Sequence, residues 1–181
     1  MLGYDAPRWH ALLNDFPAAL LVTAVLFDLA AALWKRESLK WAGIWTLWAG
    51  VIGGWVAVIA GELAEEALEH GEAMHELMEL HERQALVTMG IFTAILVWKL
   101  FRRSALPPRE EWATRVLGIV GVVGLCYVGA AGSKLVFEHA AGISSERMQA
   151  ELKDRGALAA PADSAKPPAH QHAPGTPEHE H

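Results

Sequence analysis

Apolar residues occur in four long runs that are separated by short charged segments. The runs extend over about 12–34, 41–61, 85–101 and 116–137. A helix rises about 1.5 Å per residue and the hydrocarbon core of a bilayer is about 30 Å thick, so each run approaches the length that one span needs. The pattern predicts four transmembrane helices, joined by short loops into an antiparallel four-helix bundle, and hence an all-α integral membrane fold.

Composition agrees with a membrane protein. Hydrophobic residues make up 52% of the 181 residues and charged residues only 20%. The net charge of −6, without a basic patch, excludes nucleic acid as a partner. The single cysteine, Cys126, excludes an intrachain disulfide, and we expect it to be a small core residue.

The charged connections differ in sign, and this difference predicts the orientation. The second connection, 62–82, is overwhelmingly acidic, whereas the first and third carry the cations Lys35, Arg36, Lys40, Lys99, Arg102, Arg103 and Arg109. Cation-rich loops stay in the cytoplasm. We therefore expect both termini and the acidic connection on the outer, periplasmic side of a bacterial inner membrane.

The chain divides into a bundle and a tail. Residues 1–145 are expected to form the four-span bundle, and 146–181 an outer tail, rich in Ala, Pro and His, that is largely disordered because it lacks apolar periodicity. Beyond the alternation of helices, the sequence shows no evident internal repeat.

Outside the tail, all five histidines fall toward the outer end of the predicted bundle: His10, His70, His75, His81 and His139. Depth was estimated from the cytoplasmic tryptophans. His81 lies about 26 Å along a helix from Trp98, and His10 about 36 Å from Trp34. We therefore expect His81 to be the deepest, and an imidazole at that depth needs a partner.

Two kinds of site fit these histidines. In the first, imidazoles on facing helices hold one or two b-type haems, with axial ligands drawn from His10, His75, His81 and His139. In the second, His75 with Glu79 or Glu82 binds zinc, copper or iron directly.

A third interpretation gives the histidines only structural bonds, in an accessory subunit of a respiratory or photosynthetic complex. Lys134 is expected to pair with Asp15 or to meet a haem propionate, and Asp28 to bond to a neighbour near the cytoplasmic edge. No nucleophile, phosphate loop or acid–base pair is evident, so the sequence favours an electron carrier or redox-complex subunit over an enzyme with its own substrate.

Three segments carry a family resemblance: WHALLNDFPAALLVTAVLFDL at 9–29, AMHELMELHERQALVT at 73–88 and GSKLVFEHAAGI at 132–143. In order and spacing they resemble the bacterial multi-span membrane proteins called domain of unknown function 2231. Related domains occur beside Rieske-type or c-type cytochrome domains. The resemblance therefore implies, besides membrane lipid, a periplasmic electron carrier or larger redox complex as partner, with His10, His75, His81 and His139 as the ligand candidates.

Overall fold

The computed structural model describes residues 5–68, 71–102 and 105–156. Four long helices succeed one another: α1 (Ala6–Trp34), α2 (Glu37–Glu66), α3 (Glu72–Phe101) and α4 (Pro108–His139). All four are long and apolar enough to cross a membrane. The predicted all-α, four-span bundle is confirmed, and the described residues contain no strand.

Local signals set the helix boundaries. Asp5 caps α1 by accepting a hydrogen bond from the backbone N–H of Arg8 at 3.4 Å, and Pro108 occupies the first position of α4, where a missing N–H costs little. α1 and α4 each end at a residue in the left-handed conformation, Lys35 (φ 50°) and Ala140 (φ 53°). The resulting tight turn between α1 and α2 brings the cations at their ends together.

The bundle buries a narrow core and exposes large apolar side chains. Leu21 and Phe92 are fully buried, whereas Trp45, Phe101 and Phe137 are 69%, 85% and 86% exposed. Such an apolar exterior is costly in water and favourable in lipid. Cys126 is exposed, so the expectation that it fills the core is wrong: its position on α4 faces away from the other helices.

The pairs α1–α2 and α3–α4 are equivalent halves, related by a spacing of 71 residues. In both halves, bulky side chains of the first helix lie against glycines of the second. Leu21 against Gly50 recurs as Phe92 against Gly121, and Pro17 against Gly53 recurs as Thr88 against Gly124. Because each half contains two spans, the halves run in the same direction, as in parallel repeats of other membrane proteins.

This repeat corrects the sequence analysis, which found none. Most equivalent positions hold different residues, for example Leu21 and Phe92, or Pro17 and Thr88. What recurs is the placement of small residues that let helices approach closely in lipid. The duplication is therefore visible in the packing, although side-chain identity has largely diverged.

A short fifth helix, α5 (Ser145–Asp154), follows α4 in the sequence. Contacts divide the chain after Gly142, which places α5 in a separate unit. Ser144 caps α5 by accepting from the backbone N–H of Arg147 at 3.4 Å. This helix lies within the segment that was expected to be largely disordered, and the rest of the predicted tail, 157–181, lies outside the described residues.

Candidate functional site

Two histidines from different halves of the repeat lie together. The ring centroids of His10, on α1, and His81, on α3, are 6.4 Å apart, and the ring planes are nearly perpendicular at 89°. The two positions are separated by 71 residues, so they are equivalent in the repeat. The same residue therefore approaches the contact between the halves from both sides.

Each imidazole is held by a backbone carbonyl of the second helix in its own half. His10 Nδ1 lies 2.9 Å from the oxygen of Ala57, and His81 Nδ1 lies 3.0 Å from the oxygen of Val128. A carbonyl can only accept, so Nδ1 is the donor in both rings. In the neutral imidazole this leaves the lone pair on Nε2, which is the arrangement found in metal-ligating histidines.

Glycines make this approach possible. A Cβ placed on Gly61 would lie 3.1 Å from His10 Cε1, and a Cβ on Gly132 would lie 3.1 Å from His81 Cε1. These glycines are again 71 residues apart, each four residues after the carbonyl that accepts from its histidine. Both halves therefore build the same pocket: a ring, a carbonyl that orients it and a glycine that admits it.

The structure corrects the predicted difference in depth between the two histidines. Their ring contact puts His10 and His81 at the same level of the bundle. The estimate failed because it treated Trp34 and Trp98 as equivalent markers. In the repeat, Trp98 corresponds to Phe27, which lies seven residues before Trp34.

The other predicted ligands lie in different surroundings. His75 is half exposed and lies between two carboxylates, with Nδ1 at 3.7 Å from Glu65 and Nε2 at 3.5 Å from Glu79. His139 is exposed at the end of α4, and Lys134 is exposed one turn earlier. Of the four histidines predicted as axial ligands, the ring contact joins two.

Two further predictions have no geometric support. Within 5–68, 71–102 and 105–156, no group of three or more His, Cys, Asp or Glu side chains is placed to hold a metal ion, so direct binding by His75 with Glu79 or Glu82 stays a prediction. Asp15 and Lys134, both described, form no ion pair. His70 and the four tail histidines lie outside the described residues.

The opposite end of the bundle contains charged residues that the sequence analysis did not single out as a site. Lys99 Nζ donates to Asp28 Oδ1 at 2.8 Å, and Lys99 is only 7% exposed. This confirms that Asp28 bonds to a neighbour. Asp28 and Lys99 are also 71 residues apart, a relation that would have been found only if the repeat had been recognised first.

Comparison with known proteins bears on the fold more than on the chemistry. A family model described as "Predicted membrane protein (DUF2231)" matches residues 7–145, a range that contains all four long helices and both histidines of the pair. No curated protein and no solved structure matches the chain.

Proposed function

This chain belongs to the DUF2231 family of predicted membrane proteins, and we propose that it is a b-type cytochrome-like electron-transfer protein in which His10 and His81 hold one haem. The observation that carries this proposal is the pair of equivalent imidazoles, each with Nδ1 committed to a carbonyl. The proposal narrows the four predicted ligands to two and the number of haems to one.

The distance between the rings suits two axial ligands of one ion. Metal–imidazole bonds are about 2.0–2.1 Å long, and a ring nitrogen lies roughly 1 Å from its centroid, so rings on opposite sides of one ion have centroids about 6 Å apart. The observed separation is 6.4 Å. Haem iron needs only axial ligands from the protein, whereas a structural zinc ion takes four protein ligands. Two histidines therefore fit haem better than a bare ion.

The two histidines also do not satisfy each other's hydrogen-bonding groups, as a purely structural contact would. With both Nδ1 atoms donating to carbonyls, both Nε2 atoms are acceptors, and neither ring can donate to the other. A polar group inside an apolar bundle is costly unless it is paired. His10 and His81 would hold haem iron through their Nε2 atoms, and the iron would supply the Lewis acid that two acceptors lack.

The protein's own contribution is to hold the ligands and to set their environment. The bonds to Ala57 and Val128 fix the orientation of the rings and raise the basicity of Nε2. When bound, a haem supplies reversible one-electron chemistry at iron. The surrounding helices limit access of water, which influences the redox potential.

The surroundings of the pair favour an exchange of electrons on the outer side of the membrane. The end of the bundle nearer the pair continues into the acidic segments of α2 and α3, while the basic loops lie at the other end. By the positive-inside rule the histidine end then faces the bacterial periplasm. A c-type cytochrome, a Rieske protein or a larger redox complex is the partner we propose there.

The absorption spectrum of the purified protein tests the proposal. We expect a Soret band and a reduced-minus-oxidised α band, with one haem per chain. His10→Ala and His81→Ala should each abolish most of this absorbance, because each removes an axial ligand. His75→Ala and His139→Ala are matched controls at the same end of the bundle and should retain it.

Two results would contradict the proposal. One is a colourless protein purified from haem-replete cells, in which metal analysis would then test the zinc, copper or iron alternative. The other is unchanged absorbance in a His10→Ala or His81→Ala variant that retains its helicity and its elution volume in gel filtration.

A further inference from the structure

The basic end of the bundle contains a cavity of about 460 Å³. All four long helices or their connecting segments contribute to its lining. Among the described residues, five cations line it: Lys35, Arg36, Lys40, Lys99 and Arg115. A volume of this size is within the range of small-molecule sites in proteins, which is about 300–1,000 Å³.

The charges of the lining do not balance. Three carboxylates face the five cations, namely Asp28, Glu37 and Glu111. Asp28 already accepts from Lys99 at 2.8 Å. Glu111 lies 3.1 Å from Arg115 and 3.7 Å from Lys40. Asp28 and Glu111 are therefore engaged, and Glu37 accepts from the indole N–H of Trp41 at 3.4 Å. The described part of the lining retains two positive charges in excess.

Three of these cations have side-chain N–H donors without an acceptor in the described residues. The side chains of Lys35 and Arg36 form no ion pair or hydrogen bond with the part of the chain that the structure describes. The Nε atom of Arg115 is buried without a hydrogen-bond partner. Asp28 Oδ2 lies 3.9 Å from this nitrogen, which is an ion-pair distance but too long for a hydrogen bond.

We propose that this cavity binds a phosphate group. The ammonium of Lys35 and the guanidinium of Arg36 would donate to phosphate oxygens, and the phosphate charge would offset the excess of positive charge in the lining. The phosphate belongs either to the headgroup of an anionic phospholipid or to a soluble phosphate compound. Basic pockets between transmembrane helices bind lipid headgroups in this way. The site is at the opposite end from His10 and His81, so it does not depend on the haem proposal.

Thermal stability of the full-length protein, followed with and without phosphate, tests this site. One arm compares nanodiscs of phosphatidylcholine alone with nanodiscs that also contain phosphatidylglycerol. The other arm titrates inorganic phosphate into detergent-solubilised protein at constant ionic strength. We expect stabilisation in at least one arm.

Arg36→Gln is the informative variant, because Arg36 is exposed and unpaired and its loss should not disturb the fold. It should weaken the stabilising interaction about fivefold. Arg109→Gln is the matched control: Arg109 is also exposed and near the basic end but does not line the cavity. It should behave like the wild type.

The arms distinguish the two sources of phosphate. If phosphatidylglycerol stabilises the protein and inorganic phosphate does not, the ligand is a lipid headgroup. If inorganic phosphate stabilises it, the site accepts a soluble phosphate compound. No stabilisation in either arm would overturn the proposal, as would equal weakening by Arg36→Gln and Arg109→Gln, since that result reports surface charge only.

Discussion

The two ends of the bundle differ in the residues that the two halves bring into contact there. At each end, equivalent positions of the two halves meet at the contact between them. At one end both positions are histidine, His10 and His81, with rings 6.4 Å apart. At the other end they are Asp28 and Lys99, joined by a 2.8 Å hydrogen bond.

The two pairs differ in whether their side chains satisfy each other's charge and hydrogen-bonding groups. Opposite charges satisfy one another, so Asp28 and Lys99 form a closed contact. When both imidazoles are neutral and donate through Nδ1, they present two acceptors to one another and no donor between them. A duplicated fold thus offers a symmetric place for a shared ligand only where the equivalent residues have remained the same.

Breaking the ion pair should have the largest effect on stability. Asp28→Asn leaves the buried ammonium of Lys99 without its charged partner, and removing one member of a buried pair costs about 3–5 kcal/mol. We expect a marked fall in the thermal midpoint of the detergent-solubilised protein. The exchange Asp28→Lys with Lys99→Asp should recover most of it, and a failure to recover would mean that Arg115 or the local packing, rather than the pair, dominates.

Filling the glycine contacts should have an intermediate effect, and should have it in both halves. A Cβ on Gly50 would lie 2.8 Å from Leu21, and one on Gly121 would lie 2.7 Å from Phe92. Overpacking of this kind costs about 1–3 kcal/mol, so Gly50→Ala and Gly121→Ala should lower the unfolding temperature by similar amounts.

Gly129→Ala is the control for these variants, because a Cβ there meets nothing within 4 Å. It should leave stability unchanged or raise it slightly, since alanine favours the helix. If all three variants behaved alike, the glycines would matter through helix propensity and not through the repeated contacts.

Removing a histidine from haem-free protein should have the smallest effect. His10→Ala and His81→Ala each delete one hydrogen bond to a carbonyl, which contributes about 0.5–1.5 kcal/mol. Because the rings touch edge to face but do not bond to one another, we expect the coupling between the two losses in the double variant to be smaller than that between Asp28 and Lys99. Strong coupling between them in haem-free protein, measured by a double-mutant cycle, would show that the rings already form a closed contact as Asp28 and Lys99 do.

Much of the fold was predictable because lipid imposes simple rules. Four apolar runs of nearly spanning length led directly to α1–α4, and the opposite signs of the connections separated the basic end from the acidic one. The candidate site was predictable in part. His10 and His81 were both among the ligand candidates, but so were His75 and His139, because position along a helix does not say which neighbour a side chain meets.

The sequence by itself determined the number of spans and the kinds of residue available at each end, since these depend on local hydropathy and composition. Only the tertiary structure decided which residues form pairs: His10 with His81, Asp28 with Lys99, and each imidazole with a carbonyl of the next helix. These pairs depend on the rotation of each helix about its axis and on the glycines that set the distances between helices. Such geometry arises from packing along the whole length of the bundle, and no single segment of the chain encodes it.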